Sequence, residues 1–428
     1  MSNSSINKLF QLRPSDEHSF DELFQRSASI GASAHGGLNR QTGSIADGKM
    51  RDEFCRWLKQ HGFEVKIDAI GNIFGCMQFD PSLDYILCGS HLDTQPQGGK
   101  YDGVYGVIAA AVAIHALAEL FKQHQIKPHF NLAVVSWTNE EGARFQPSLT
   151  GSSVFTKKLT LEQALACVDN QGISLQQALA EIGYLGDQKL DSPIHGYYEL
   201  HVEQGHVLES KHKTIGIVDA TWAALKLKIS FHGEQNHTGP ALMQVRKDAL
   251  LAAAHSIVAV RKYADLHPNE VHSSVGKIDC HPNSPNIVPD QVEIYVEFRS
   301  ANEALLLNIR KYFFQDLQQI NQHSQCTHRI LTEEFRTAVQ LDPQLTEQNQ
   351  AIATSLGYSN QRMKTIAGHD AIRISQSLPA SLIFVPSHHG LSHNEQEFTA
   401  KEDLYAGLNL LIAILGHQAS NPSARQPS

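Results

Sequence analysis

Short apolar runs recur along the chain, and each closes in a polar loop carrying histidine or acid. They fall at 85–88 before GSHLDT, 132–137 before TNEEG, 197–200 before HVEQG and 382–386 before SHHGLSH. Each is about the length of a strand and ends in a polar, glycine-bearing loop. Between them lie helical patterns. Residues 44–61 space Met50, Phe54, Trp57 and Leu58 on one face, with Gly62 as a stop. Segments 104–121 and 161–179 are further helical candidates. Strands alternating with helices predict an α/β domain with a mainly parallel sheet, whose ligands gather beyond the carboxyl ends of the strands.

The middle of the chain reads differently. LKLKISF at 225–231 alternates with period two, and further alternating stretches fall at 273–278 and 292–298. Helices are expected at 243–263 and 303–320, and a last strand near 329–333. Strand, helix, strand, strand, helix, strand is an α+β unit in its own right. We place it at 222–337, inserted into a discontinuous first domain made of 1–221 and 338–428. The first few residues and the tail NPSARQPS are expected to lack order.

Composition narrows the function classes. The 428 residues suggest two to three domains, and a net charge of −9 gives no general attraction to phosphate backbones. No basic run interleaves with aromatics, so no nucleic-acid partner is expected. The six cysteines are scattered with no C-x-x-C pair, which fits a reducing cytosol. The opening residues lack the basic end and apolar block of a signal peptide, and the apolar stretches at 104–118 and 404–415 fall short of a span. A cytoplasmic protein without a membrane partner is expected. The unusual count is 24 histidines.

Chemistry concentrates in the four polar loops. His91 and Asp93 leave one strand end, and Asp102 follows on a glycine-rich loop that opens a helix. Imidazole suits zinc or a similar ion, a carboxylate can bridge two ions, and Asp93 is placed to hold the other ring nitrogen of His91. Glu140 and Glu141 are adjacent on non-helical backbone, so one can ligate while the other moves a proton. His201, Glu203 and Gln204 end a third strand, and His388, His389 and His393 follow a fourth. Any one of these alone is ordinarily a solvated turn or a surface charge pair. Four on successive strand ends can converge, and they supply His91, Asp102, Glu141, His201 and His393 for two metals, with Glu140 spare. Two divalent ions about 3.5–4 Å apart favour hydrolysis. Serine-hydrolase, phosphate-loop and dinucleotide fingerprints are absent from the sequence.

The ordered set GSHLDT…GGKYDG, NEEGARF, ELHVEQG, HTGPALMQVRKDA, PNIVPDQVEIYVEFRS, AGHDA and GLSHNEQE resembles the zinc-dependent hydantoinase/carbamoylase family. That family includes N-carbamoyl-L-amino-acid hydrolases, allantoate amidohydrolases and β-ureidopropionases, within a larger aminoacylase and dipeptidase-like group. The resemblance implies a bridging Asp102, one ion (Zn, Mn, Co or Ni) on His91 and His201, another on Glu141 and His393, and Glu140 as general base. It further implies that His237 stabilises an oxyanion, often in the neighbouring subunit, and that Gln204, Asn286 and Arg299 grip a substrate carboxylate. Arg246 and His369 are further motif positions. The inserted domain becomes a lid and the surface of a homodimer, and the substrate a small ureido compound. Allantoate is the alternative to an N-carbamoyl-L-amino acid. His201 disfavours an aminoacylase or dipeptidase, and metal analysis would expose a non-catalytic scaffold. For Arg299, an ion pair with Glu297 or Glu293 is the competing reading.

Overall fold

The computed structural model describes residues 9–190 and 192–421, so the expectation for the two chain ends lies outside the described residues. Residue contacts divide the chain into two units, one running to Asp219 and resuming at Gln340, the other spanning Ala220–Val339.

The first unit is a mixed α/β fold around one eight-stranded sheet. Its strands are β1 (Glu64–Ile67), β2 (Ile73–Met77), β3 (Tyr85–His91), β4 (Asn131–Trp137), β5 (Ile194–Val202), β6 (Ile215–Thr221), β7 (Asn360–Thr365) and β8 (Ala380–Val385). Their order is β1-β2-β4-β3-β5-β8-β6-β7. The centre, β4-β3-β5-β8, is parallel throughout. The flanking pairs β1-β2, β2-β4 and β8-β6 are antiparallel. β3, β4 and β8 are buried at every position, which explains why they read as continuous apolar runs.

Helix Val104–Gln123 covers the centre of one face and packs against helix Lys401–Ser420. Gly106 lets the helix lie close to the sheet, because a Cβ there would lie 2.2 Å from the Leu200 carbonyl oxygen of β5. The helix continues beyond the apolar stretch read from sequence and is long and apolar enough to cross a membrane. Most of its surface is instead met by the sheet and neighbouring helices. Where one helix was expected at 161–179, two short ones form, Leu161–Leu165 and Leu175–Glu181. The Asp169 carboxylate accepts from the Gln171 and Ile173 amides, closing a turn that outcompetes helix between them.

The second unit is a four-stranded antiparallel sheet, ordered Thr327–Arg336, Ala223–His232, Gln291–Ser300, Val271–His281. Leu225, Leu227, Ile229 and Phe231 fill its core with apolar residues from helices Ala249–Leu266 and Glu303–Ser324. The first of these helices starts six residues later than the pattern suggests, at Ala249 rather than 243. Asp248 caps it, accepting from the Leu250 and Leu251 amides, and Met243–Val245 forms only a 3-10 turn.

Candidate metal centre

Because β4, β3, β5 and β8 are adjacent and parallel, their carboxyl ends share one edge, and the four polar loops leave from that edge. The edge brings His91, Asp102, Glu140, Glu141, His201 and His393 together. His91 Nε2 and His201 Nε2 stand 3.6 and 3.2 Å from Asp102 Oδ1. His393 Nε2 lies 3.3 Å from Asp102 Oδ2 and 3.4 Å from Glu141 Oε2. Two donor groups result, His91–Asp102–His201 and Asp102–Glu141–His393, each with its ligand atoms within 4.8 Å of one another. They meet only at Asp102, one oxygen facing each group.

The donors fit divalent ions. A tetrahedral ion with bonds near 2.1 Å separates its ligand atoms by about 3.4 Å, close to the spacings found here. The rings are also set for ligation. His91 Nδ1 is 2.9 Å from the Asp93 carbonyl oxygen and His201 Nδ1 is 2.8 Å from the Val202 carbonyl oxygen. Each carbonyl accepts from Nδ1–H and leaves Nε2 unprotonated, and in His201 that Nε2 accepts from the Gly103 amide at 3.1 Å. Glu140 belongs to neither group, although its Oε2 lies 3.5 Å from His91 Nε2.

Charge is strongly perturbed in this enclosure. Burial pushes the Glu140 carboxyl well above its ordinary range, and Asp370, Glu141 and Asp102 add to the effect. Burial and Asp102 together raise Glu141 to about 7. Burial would raise Asp102 too, but His201, His393 and His91 hold it well below the usual carboxylate value. The hydrogen bond to Asp102 lifts His393 to about 9.

Surrounding groups hold the loops in place. The Asp93 carboxylate, expected on the His91 ring, lies 3.8 Å from Nδ1 while the carbonyl of the same residue takes that nitrogen. The carboxylate instead accepts from Thr42 and from the main-chain amides of Glu140 and Glu141. It therefore orients the acidic pair. Gln95 donates to both Glu141 oxygens through its amide N–H and its side chain. Gly103, at φ +65°, sits where a Cβ would come within 2.3 Å of the His91 ring. Glu203 does not face the centre and instead accepts from the Val207 and Leu208 amides.

Sequence reading missed Glu397. It is buried, accepts from the amides of Tyr101 and Asp102, and contacts Ser392, which also touches Asp102. Its only sequence signal is its place in SHNEQE. His369 was noted without a role. Its buried ring packs on that of His201 at 4.6 Å.

Gln204 stands differently from a free substrate grip. Its side-chain amide donates to Asp102 Oδ2 at 2.7 Å and to Ser392. In the second unit, His237 and Asn286 are exposed, and a short ribbon pairs His237 with Ile287. The Gly239 amide donates to His237 Nδ1 at 3.0 Å, which leaves Nε2 to carry the ring proton. Arg246 donates to the Thr238 and Ala241 carbonyls and so pins the loop that bears His237. Arg299 makes the competing ion pair, 3.0 Å from Glu297.

Paired imidazole and carboxylate donors around a shared aspartate, at the carboxyl edge of an α/β sheet, define the class of metal-dependent hydrolases. The profile of peptidase family M20/M25/M40 matches residues 87–417, and the chain belongs to that family, whose members typically bind divalent metals. It is 36% identical to an N-carbamoyl-L-amino-acid amidohydrolase of Rhizobium meliloti, over 92% of this chain and 94% of the relative. It is 32% identical to an allantoate amidohydrolase of Bacillus subtilis strain 168, over 93% and 97%. Among solved structures, a hydantoinase/carbamoylase family amidase of Burkholderia vietnamiensis superposes with a TM-score of 0.88 at 32% identity, covering 96% of this chain and 99% of the other. Within the family the chain is thus an amidohydrolase of the carbamoylase/allantoate group, a hydrolase acting on carbon–nitrogen bonds other than peptide bonds.

Proposed function

We propose that this protein hydrolyses the ureido carbon–nitrogen bond of N-carbamoyl-L-amino acids, releasing ammonia, carbon dioxide and the amino acid. The observation that carries this reading is the pair of donor groups sharing Asp102, with Glu140 beside them and outside both. His91 and His201 would hold one divalent ion (Zn, or Mn, Co or Ni), Glu141 and His393 a second, and Asp102 would bridge. When bound, such a pair lowers the pKa of water and polarises a carbonyl.

The chain's own groups supply the rest. Glu140 takes the proton from the attacking water and returns it to the departing nitrogen, a task suited to a carboxyl that stands beside the donor groups and belongs to neither. His237, with its proton on Nε2, donates to the oxyanion that develops on the ureido carbonyl. Asn286 and Arg299 bind the substrate carboxylate, Arg299 through its bidentate fork after exchanging Glu297 for substrate. Gln204 joins them if its amide turns from Asp102. We assign the 222–337 domain to substrate closure and to a homodimer. Six cysteines without disulfide partners support a cytoplasmic location.

Allantoate, which also joins a carboxylate to ureido groups, is the second reading, favoured by the Bacillus relative. Ammonia release from a panel of N-carbamoyl-L-amino acids and allantoate decides between them. N-acetyl amino acids and dipeptides serve as controls, each assayed after chelation and reloading with Mn, Zn, Co or Ni. Turnover is expected on the N-carbamoyl compounds. Faster turnover of allantoate selects the second reading, and a chain inert with every metal rejects both.

A further inference from the structure

A second group of imidazoles and acid lies away from the catalytic ligands, on two neighbouring turns of the first unit. Glu209 stands on the short helix Val207–Ser210, beyond the turn after β5, and His388 and His389 form the turn after β8. His388 Nδ1 is 2.7 Å from Glu209 Oε1, and the His389 amide donates to Glu209 Oε2 at 2.8 Å. His206 adds a further contact, its Nδ1 3.1 Å from Glu209 Oε2. The ligand atoms of Glu209, His388 and His389 all lie within 4.8 Å of one another, and none of the three belongs to the central donor groups.

One feature separates this group from an ordinary surface ion pair. Consecutive side chains usually diverge, yet the rings of His388 and His389 sit 3.9 Å apart. His389 achieves this with φ at +54°, in the left-handed region that a non-glycine residue adopts at a cost. Glu209 is held anionic, its carboxyl kept below the ordinary range by the His389 amide and then by His388. Two imidazoles and an anionic carboxylate on one spot are a donor set for a borderline-soft divalent ion, with remaining positions open to water.

We infer that Glu209, His388 and His389 form a third metal site, for an imidazole-preferring divalent ion such as zinc, nickel or copper. It binds more weakly than the centre because it is exposed and offers only three ligands. An ion there ties the turn after β5 to the turn after β8. Those turns already meet through the Gln204 amide and Ser387 Oγ at 3.0 Å, and the second continues to His393. The site goes beyond the proposed reaction and needs no assumption about the substrate.

Equilibrium dialysis of the holoenzyme against rising free zinc, with bound metal counted per chain, tests it. The wild type is expected to take up one ion per chain more than the His388→Ala/His389→Ala double variant. The ions bound first, and ammonia release at low zinc, should be the same in both. Glu209→Gln should likewise lose the late-binding ion, and a His388→Gln/His389→Gln pair replaces the alanine variant if its circular dichroism shows misfolding. Superimposable isotherms for wild type and folded variants overturn the inference. A missing early phase speaks against the central site instead, so the two failures are distinguishable.

Discussion

Asp102 uses both carboxylate oxygens, one toward His91 and His201 and the other toward His393, and so joins the two donor groups, while His201 also clusters with Glu199 and His369. Glu140 is its opposite, a buried carboxyl close to the donors and committed to neither set. That contrast gives a sharp expectation. Glu140→Gln should keep its metal content by elemental analysis yet lose about 10²–10⁴-fold in kcat, the usual contribution of a positioned acid–base group. A variant with wild-type kcat removes Glu140 from proton transfer. His91, Glu140, Glu141 and His201 were readable in the sequence because each closes or follows a short apolar run. Glu397 was not. Its value comes from accepting the amides of Tyr101 and Asp102, nearly three hundred positions away, and nothing local marks that pairing. The true partners of Asp93 were hidden for the same reason.

At the scale of elements, the acidic loop after β4 rests on a buried ion pair from helix Ile45–Gln60. Arg51 and Asp47 are 2.9 Å apart and almost wholly buried. Arg51 also donates to the Gly71 carbonyl and to Thr138, two residues before Glu140. Removing one partner of such a pair leaves an uncompensated charge in the interior. Asp47→Ala should therefore lower unfolding free energy by about 3–5 kcal/mol, read from urea midpoints. A loss below about 1 kcal/mol would mean that Arg51 finds another anion or reaches water. The helix itself was legible from its apolar spacing and from Gly62 beyond its end, and the structure adds a Ser44 cap that accepts from the Asp47 amide. The burial of Arg51 was not, because period and capping report a helix's own turns and not what lies across from them. Sequence patterning also failed where a side chain closed a local turn, as at Asp169, or moved a helix start, as at Asp248.

For the whole molecule, the question is what the second unit contributes. If His237 serves the neighbouring subunit, as the resemblance implies, two inactive variants should rescue one another. Equal amounts of His237→Ala and Glu140→Gln protein, exchanged into mixed dimers, should recover about a quarter of wild-type ammonia release, since half the dimers are mixed and one of their two sites is intact. Mixtures that light scattering shows to be dimeric and exchanged, yet that stay inactive, remove His237 from any role across the dimer. The sheet order carries a separate consequence for how the protein is made. β8 pairs with β5 in the middle of the sheet, but β5 ends at Val202 and β8 begins at Ala380, 178 positions later. At translation rates of about 5–20 residues per second, β5 leaves the ribosome on the order of ten to thirty seconds before its partner. Throughout that interval an edge of β5, a strand buried from Gly196 to Val202 in the finished sheet, waits open beside an unfinished ligand cage. Chaperone cover is needed most during that wait, and both donor groups can be complete only once His393 has been made.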